Sequence, residues 1–292
     1  MKKLIKIFIK KIFNIGLLDI KEDIRTNVVT KIAQNKLFLY YKELAAKGEF
    51  LPKLKDVGFR CFSQFEEDGL LLYIFALIGT KKKTFVDIGS GDGINSNCAN
   101  LALNFGWDGL FIDGNPDNIT KGLKFYLNHP NTWAYPPKFL NAFIKAENIN
   151  ELILGQGITG EVDFLSIDID GNDYWIWKAL NCIAPRVVMI ETHIEFGFNS
   201  IVVPYDPDYC FPSKIHPEYH GASVSAMIKL FHDKNYRLIG SNNYGFNLLF
   251  MRNDEGEIYF PEIEAEEVLS HPRNKERMKM FEEIKNLEYI YV

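Results

Sequence analysis

The sequence predicts an α/β domain in which a mostly parallel sheet carries helices on both faces. Three observations support this prediction. Short apolar runs alternate with helical patterns, a glycine-rich turn follows the first run, and acidic residues stand at the ends of later runs. Open sheets of this kind bind ligands at the carboxyl ends of their strands, so the same turn and acids mark the expected site.

The predicted elements follow one another along the middle of the chain. A helix at 64–79 precedes apolar strands at 85–88, 110–113, 139–144, 164–168 and 187–191. Next comes a helix at 222–235, and then come strands at 236–241 and 246–252, whose Asn- and Gly-rich turn is typical of a hairpin.

Changes in pattern divide the chain into three parts. Residues 1–60 are a helical N-terminal extension, with helices expected at 24–41 and 41–51. Residues 61–252 form the main domain. Residues 253–292 are a charged C-terminal extension, expected to be helical from Glu262.

Composition excludes some classes of function. The net charge of −5 argues against nucleic acid as a partner, because phosphate binding needs clustered Lys and Arg. Four scattered cysteines without a CxxC pair indicate reduced thiols in a cytoplasmic protein.

Residues 1–20 are the exception to the acidic balance, because they interleave lysines with apolar residues. The segment is too charged for a spanning helix and lacks the apolar region of a signal peptide. Two interpretations stay open. A basic amphipathic helix packs against the protein or a second copy, or it lies on an anionic inner membrane face.

The most informative stretch is TFVDIGSGDGINSN at 84–97. An apolar strand containing Asp87 runs into three alternating glycines, Gly89, Gly91 and Gly93. Bare backbone at these positions lets a ligand approach closely, although a tight turn without a ligand is the alternative. Ile94 breaks the G-x-G-x-x-G spacing of dinucleotide-binding turns, so a nicotinamide-dependent oxidoreductase is disfavoured.

Asp113 ends the next apolar run. A carboxylate at this strand tip can accept hydrogen bonds from both hydroxyls of a ribose. The alternative is an Asx-turn, since the residues at 114–118 are rich in turn formers.

Acids also cluster after the two later strands, where Asp168, Asp170, Glu191 and His193 are expected to converge. Buried carboxylates need a cation, a proton or hydrogen bonds as compensation. Asp168 and Glu191 are therefore the candidate ligands for Mg²⁺ or Mn²⁺. His193 is the preferred base because of its ordinary pKa, and Asp170 is the alternative. A metal-free site with His193 oriented by Glu191 also stays open.

The segment 194–221 lacks periodicity and holds many aromatic residues. Long irregular loops in compact domains tend to cover binding sites, so we expect this loop to contribute to an acceptor site. Its aromatic rings could instead anchor it on the domain. His216 and His220 within it are reserve bases.

Four stretches carry a family resemblance: SQFEEDG at 63–69, FVDIGSGDGINSN at 85–97, GWDGLFID at 106–113 and LSIDIDGNDYWIW at 165–177. Together they resemble the FkbM-type methyltransferases, which belong to the class I enzymes that use S-adenosylmethionine (SAM). The match spans roughly 60–252.

The resemblance implies a Rossmann-like, seven-stranded methyltransferase sheet with a terminal antiparallel hairpin. It also implies SAM as cofactor, bound by Asp87, Asp113, the three glycines and, from the first motif, Gln64. The implied reaction is methylation of a hydroxyl on a sugar, a surface glycan or a small glycosylated product.

The strand-end acids are also similar to those of metal-dependent sugar and catechol O-methyltransferases. Those enzymes have paired Asp-Asp or Asp-Asn where this chain has Glu191-Thr192-His193. The rival hypothesis is a non-catalytic SAM-binding or scaffold protein of the same fold.

Overall fold

A computed structural model describes residues 28–292, and the basic segment 1–20 lies outside them. Among the described residues, those at 28–51 belong to one compact unit, and Pro52–Val292 form another. In the first unit, helix α1 (Val28–Lys47) runs unbroken past Tyr41, where the periodicity predicts a junction between two helices. No Gly or Pro interrupts this stretch, so nothing in its sequence ends the helix before Gly48.

The second unit alternates strands and helices. Its strands are β1 (Thr84–Ile88), β2 (Asp108–Asp113), β3 (Lys138–Asn141), β4 (Gly160–Ile167), β5 (Ile183–Glu191), β6 (Ile201–Val202), β7 (Tyr236–Ser241), β8 (Asn247–Arg252) and β9 (Ile290–Tyr291). Its helices are α2 (Glu67–Ile78), α3 (Ala99–Phe105), α4 (Pro116–Asn128), α5 (Ile149–Gly155), α6 (Asp173–Ala179), α7 (Val224–Asp233), α8 (Ala265–Leu269), α9 (Pro272–Arg277) and α10 (Phe281–Ile284). None of the helices described is long and apolar enough to cross a membrane.

Seven strands form one sheet in the order β3-β2-β1-β4-β5-β8-β7. The first five are parallel, and β8 is antiparallel to both β5 and β7. This order confirms the predicted Rossmann-like, seven-stranded sheet with a terminal antiparallel hairpin.

The strands are apolar because the sheet is covered on both faces. Val86 in β1 pairs with Leu110 and Leu165 on either side, and all three side chains are fully buried. The chain leaves β1 toward β2 on one side and returns through β4 on the other. A crevice therefore opens at the carboxyl ends of β1 and β4, where such sheets bind ligands.

Residues 290–292 brace the loop that follows β5. Strand β9 pairs with β6, which lies inside the segment 194–221. Val292 also donates a backbone hydrogen bond to Ser200. The predicted irregular loop therefore contains one short strand, and its partner comes from the far end of the chain.

A buried ion network holds the opposite end of the sheet. The Arg186 guanidinium, 2% exposed, donates to the carboxylates of Asp163 and Glu255 at 2.7–3.0 Å. Asp163 also accepts backbone hydrogen bonds from Lys81, Lys82 and Lys83, which lead into β1. This network is remote from the crevice and has a structural role.

Candidate functional site

The glycine loop begins where β1 and β4 touch. A Cβ on Gly89 would lie 1.8 Å from the carbonyl oxygen of Asp168, and the φ of Gly89 is +82°. The Asp168 N–H donates to the carbonyl of Ile88 at 2.9 Å. Only glycine fits this position, because the neighbouring backbone cannot move away.

Gly91 forms the open side of the loop. Its φ is +57°, and a Cβ built on it would meet no described atom within 4 Å. A Cβ on Gly93, in contrast, would lie 3.1–3.2 Å from the rings of Phe139 and Phe111, which close the loop against the core. The backbone of Gly91 is thus free to contact a ligand in the crevice.

Asp113 ties the second strand to this loop. Its Oδ2 accepts a hydrogen bond from the Gly91 N–H at 2.9 Å, and its Oδ1 accepts from the Asn115 N–H at 2.8 Å. The side-chain amide of Asn118 adds a contact at 3.2 Å. The half-buried carboxylate has lone pairs left for ligand hydroxyls, since each carboxylate has about four acceptor sites.

Asp87 lies beneath the loop and not on its open face. Its side chain is 3% exposed and accepts a hydrogen bond from the Ser96 hydroxyl. Burial raises the pKa of Asp87 to about 6, although hydrogen bonds from Ser96, Ser166 and Cys98 oppose that shift. Asp87 therefore supports the loop from the interior.

Gln64 is exposed, and the two acids that follow it organise its segment. The Asp68 carboxylate accepts from the backbone N–H groups of Cys61, Phe62 and Ser63. Glu67 accepts from the side-chain amides of Asn242 and Asn247 in the terminal hairpin. Both acids belong to the SQFEEDG stretch of the family resemblance, but the sequence alone assigns them no role. Two adjacent carboxylates that open an otherwise apolar helix are a usable signal for one.

Three carboxylates converge at the ends of β4 and β5. One oxygen from each of Asp168, Asp170 and Glu191 lies within 4.8 Å of the others. Burial and then repulsion from neighbouring acids raise the pKa of Asp168 and of Glu191 well above the usual range. Asp170 is the most exposed of the three and has φ +58°, which is uncommon outside glycine.

Asp173 shapes the turn that presents Asp170. Its two carboxylate oxygens accept from the N–H groups of Ile169 and Gly171, both at 2.9 Å. Burial raises the pKa of Asp173 to about 6. Its oxygens are committed to the backbone, so it is not a free ligand.

His193 belongs to a second cluster, with Glu195 and Glu218. Its Nε2 lies 2.8 Å from the Glu218 carbonyl oxygen, and its ring packs 4.2 Å from that of His220. Burial lowers the pKa of His193 to about 4. The structure thus brings together three of the four predicted strand-end groups and directs the imidazole elsewhere.

The loop after β5 encloses a cavity of about 380 Å³ beside the carboxylates. Tyr209, His220 and Gly171 line it, and the Tyr209 ring lies so close to Gly171 that a Cβ there would be 2.4 Å from it. The Tyr209 hydroxyl is buried and has no hydrogen-bond partner among residues 28–292. Burial, and then Asp170 and Glu191, raise the pKa of Tyr209. No local pattern in the sequence identifies this residue. His216, the other reserve base, pairs with Glu283 at 3.4 Å.

Comparison of the sequence with protein-family models and with curated proteins finds no match. Solved structures of SAM-dependent methyltransferases are similar to this chain at low identity. The magnesium protoporphyrin IX methyltransferase from Synechocystis, with bound SAM, is 13% identical over 64% of this chain and 77% of its own, with a TM-score of 0.40. A SAM-dependent methyltransferase from Clostridium acetobutylicum is 12% identical over 75% of this chain and 98% of its own, with a TM-score of 0.39.

An O-methyltransferase family protein from Burkholderia thailandensis is 14% identical over 58% of this chain and 50% of its own, with a TM-score of 0.37. At these TM-scores the likenesses carry no weight for substrate or chemistry. The fold class is established by the strand order of this chain.

Proposed function

We propose that this chain is a SAM-dependent O-methyltransferase of the FkbM type, acting on a hydroxyl of a sugar, a surface glycan or a small glycosylated product. The observation that carries the proposal is the hydrogen bond between the Gly91 N–H and the Asp113 carboxylate. It places an open glycine backbone and a strand-tip acid side by side at the point where the strand order reverses.

The residues present fit the cofactor. Gly91 leaves its open side free, so a ligand can lie against the backbone, and Asp113 offers acceptors for ribose hydroxyls. Gly89 and Gly93 shape the loop, and Asp87 supports it from below. Gln64 is exposed, and its assignment to the cofactor comes from the motif at 63–69. SAM, when bound, supplies the electrophilic methyl group.

The cavity beside the carboxylates fits an acceptor with several hydroxyls. Aromatic rings at Tyr209 and Tyr219 offer apolar faces, and Asp206 and Lys214 offer polar contacts. The unpaired Tyr209 hydroxyl is near Asp170, since burial and then the charge of Asp170 raise the pKa of Tyr209. Mixed aromatic and polar linings suit a sugar ring, whose faces are apolar and whose edge is polar.

An alcohol must lose its proton, or have its pKa lowered, before it attacks a sulfonium methyl group. Asp168 and Glu191 would hold a Mg²⁺ or Mn²⁺ ion, since hard oxygens from neighbouring strand ends meet there. Such an ion lowers the pKa of a bound hydroxyl. Asp170, the exposed member of the cluster, is then the better candidate for the base, because the His193 ring bonds the Glu218 backbone carbonyl and faces Glu195.

Calorimetry of the full chain with SAM, S-adenosylhomocysteine and NAD tests the cofactor. Binding of the two SAM-type ligands is expected, and binding of NAD alone would overturn the proposal. Labelled methyl transfer to a panel of sugars and sugar nucleotides then tests the reaction. Tight SAM binding with no transfer to any hydroxyl favours the scaffold alternative. Turnover after chelation, with and without added Mg²⁺ or Mn²⁺, tests the ion.

A further inference from the structure

A second group of ligand-type side chains lies beyond the end of β5. A ring nitrogen of His193 and a carboxylate oxygen from each of Glu195 and Glu218 lie within 4.8 Å of one another. The backbone fixes the group, since the His193 N–H donates to the Ala222 carbonyl at 2.8 Å. Glu195 lies in the single helical turn that follows His193.

The hydrogen bond of His193 determines which ring nitrogen carries the proton. Nε2 lies 2.8 Å from the backbone carbonyl oxygen of Glu218, and a carbonyl can only accept. Nε2 is therefore the donor. In the neutral imidazole, Nδ1 then presents a lone pair on the opposite side of the ring.

That lone pair faces a second acceptor. Nδ1 of His193 lies 3.4 Å from Oε2 of Glu195, whose residue is only 1% exposed. Within the described part of the chain, this oxygen has no hydrogen-bond partner, whereas Oε1 of the same carboxylate is bound by Arg277. Two acceptors that face each other in the interior are unfavourable unless a proton or a cation lies between them.

The distance favours a cation. A charge-assisted N–H···O bond is usually about 2.7–2.9 Å long, well below the observed separation. Two ligands of a tetrahedral ion with bonds of about 2.0–2.1 Å are about 3.3–3.4 Å apart, which agrees with the observed 3.4 Å between Nδ1 and Oε2.

We propose that His193 Nδ1 and Glu195 form the centre of a binding site for a first-row divalent ion, for which Zn²⁺ is the best match. Glu218, whose Oε2 lies 3.7 Å from Nε2 of the same ring, becomes the third ligand when its side chain turns toward Nδ1. One imidazole and two carboxylates are ligands that zinc accepts, and a water can complete four-coordination. Arg277 contacts both carboxylates and neutralises one of their two charges, which leaves one for the ion. The site is separate from the Asp168 cluster and does not depend on the proposed reaction.

The ion would join the end of β5 to the wall of the cavity. Glu218 directly precedes Tyr219 and His220, which both line that cavity. Because metal binding is coupled to the order of the segments that supply the ligands, the site would hold this wall in place.

The test uses the full-length chain, stripped of metal with a chelator and desalted. Zinc binding is measured by calorimetry, and retained metal by elemental analysis. The wild-type protein is expected to bind one equivalent of Zn²⁺. The Glu191→Gln variant, which weakens the carboxylate cluster at the strand ends, should still bind that equivalent. Since changes that only support ligands already cost about 10- to 100-fold in metal affinity, Glu195→Gln and Glu218→Gln should each cost about 100-fold or more.

Glu262→Gln is the matched control, because Glu262 pairs with His232 on the surface. It should leave zinc affinity unchanged. The substitution Glu218→Gln, at a partly exposed position, keeps the test valid if Glu195→Gln does not fold. The proposal is wrong if both variants bind zinc like the wild type. It is equally wrong if the wild-type protein binds no zinc.

Discussion

Oδ2 of Asp113 accepts a hydrogen bond from the Gly91 N–H at 2.9 Å, so the tip of β2 holds the glycine loop of β1 in place. The Asp113→Ala substitution removes this bond, the bond from Asn115, and the proposed ribose acceptors. We expect SAM affinity to fall by about 2–4 kcal/mol, since bonds to charged groups contribute about 1.5–3 kcal/mol each. Calorimetry measures the change.

Asp117→Ala is the control for this prediction, because Asp117 is exposed in the first turn of α4. It should bind SAM like the wild type. An unchanged dissociation constant in Asp113→Ala would contradict the ribose assignment while leaving the loop geometry as observed.

Two glycines of the loop should respond differently to alanine. Gly89→Ala places its Cβ 1.8 Å from the backbone oxygen of Asp168, so we expect a large loss of stability. Gly91→Ala meets no described atom within 4 Å and bears only left-handed strain, about 1–2 kcal/mol. It should fold but lose SAM affinity, because the proposed cofactor lies against this open side of the loop. Thermal unfolding and calorimetry separate the two effects.

Gly106→Ala controls for the strain. Gly106 caps α3 with φ +65° and has equally open surroundings, away from the crevice. It should match Gly91→Ala in melting temperature and the wild type in SAM affinity. Equal SAM affinity in both variants would show that the open side of Gly91 does not face the cofactor.

Asp87 makes stability depend on pH. Burial raises the pKa of Asp87 in the folded protein to about 6, above the value in the unfolded chain. The folded protein therefore holds this proton more tightly. The resulting contribution to the free energy of unfolding is present below about pH 4 and is lost as pH rises through 6. The difference of about two units corresponds to about 3 kcal/mol. Asp87→Asn stays neutral, so its stability relative to the wild type should rise between pH 4 and pH 7. Urea unfolding at several pH values tests this, and a constant difference would refute it.

The glycine loop and Asp113 could be predicted from sequence because each is a local feature at the end of an apolar strand. The sheet was equally predictable, since strands and helices alternate in short segments. The convergence of Asp168, Asp170 and Glu191 follows in turn from the adjacency of β4 and β5.

The path of the chain after β5 could not be predicted. His193 follows Glu191 by two residues, yet the helical turn at Ile194–Phe196 and the returning loop direct its ring to Glu195 and Glu218. Tyr209 reaches the carboxylates from the same irregular loop. Contacts of this kind depend on tertiary packing, and no periodic pattern records them.

Removal of the buried arginine at the opposite end of the sheet should destabilise the protein strongly. Arg186→Met leaves Asp163 and Glu255 buried without their partner, at a cost of about 3–5 kcal/mol in the free energy of unfolding. Lys279→Met, which breaks an exposed pair with Glu276, should cost about 0–1 kcal/mol. Urea unfolding of the two variants tests the contrast.

The same network makes the stability of the fold depend on pH in the acid range. Arg186 lowers the pKa of Glu255 to about 2, below the value in the unfolded chain. The ionised Glu255 therefore contributes to the free energy of unfolding above about pH 4.5, and this contribution is lost as pH falls toward 2. The difference between the wild type and Arg186→Met should therefore shrink over that range. A difference that stays constant down to pH 2 would mean that the pair does not stabilise the fold electrostatically.

Tyr209 and Tyr205 line the same cavity but differ in their hydroxyl groups. The Tyr205 hydroxyl donates to Glu147 at 2.7 Å and accepts from the Ala146 N–H at 3.0 Å, whereas that of Tyr209 is buried without a partner among the described residues. A buried unsatisfied group costs about 1–3 kcal/mol. Tyr209→Phe should therefore raise the free energy of unfolding, and Tyr205→Phe should lower it.

Activity should follow the opposite order. If the Tyr209 hydroxyl is reserved for the acceptor, Tyr209→Phe loses about 0.5–1.5 kcal/mol of transition-state stabilisation, or about 2- to 12-fold in kcat/KM, while SAM affinity is unchanged. Tyr205→Phe should keep kcat/KM close to the wild-type value. A Tyr209→Phe variant that is less stable than the wild type would show that the hydroxyl has a partner within the protein. One that is more stable and fully active would show that the hydroxyl does not contact the acceptor.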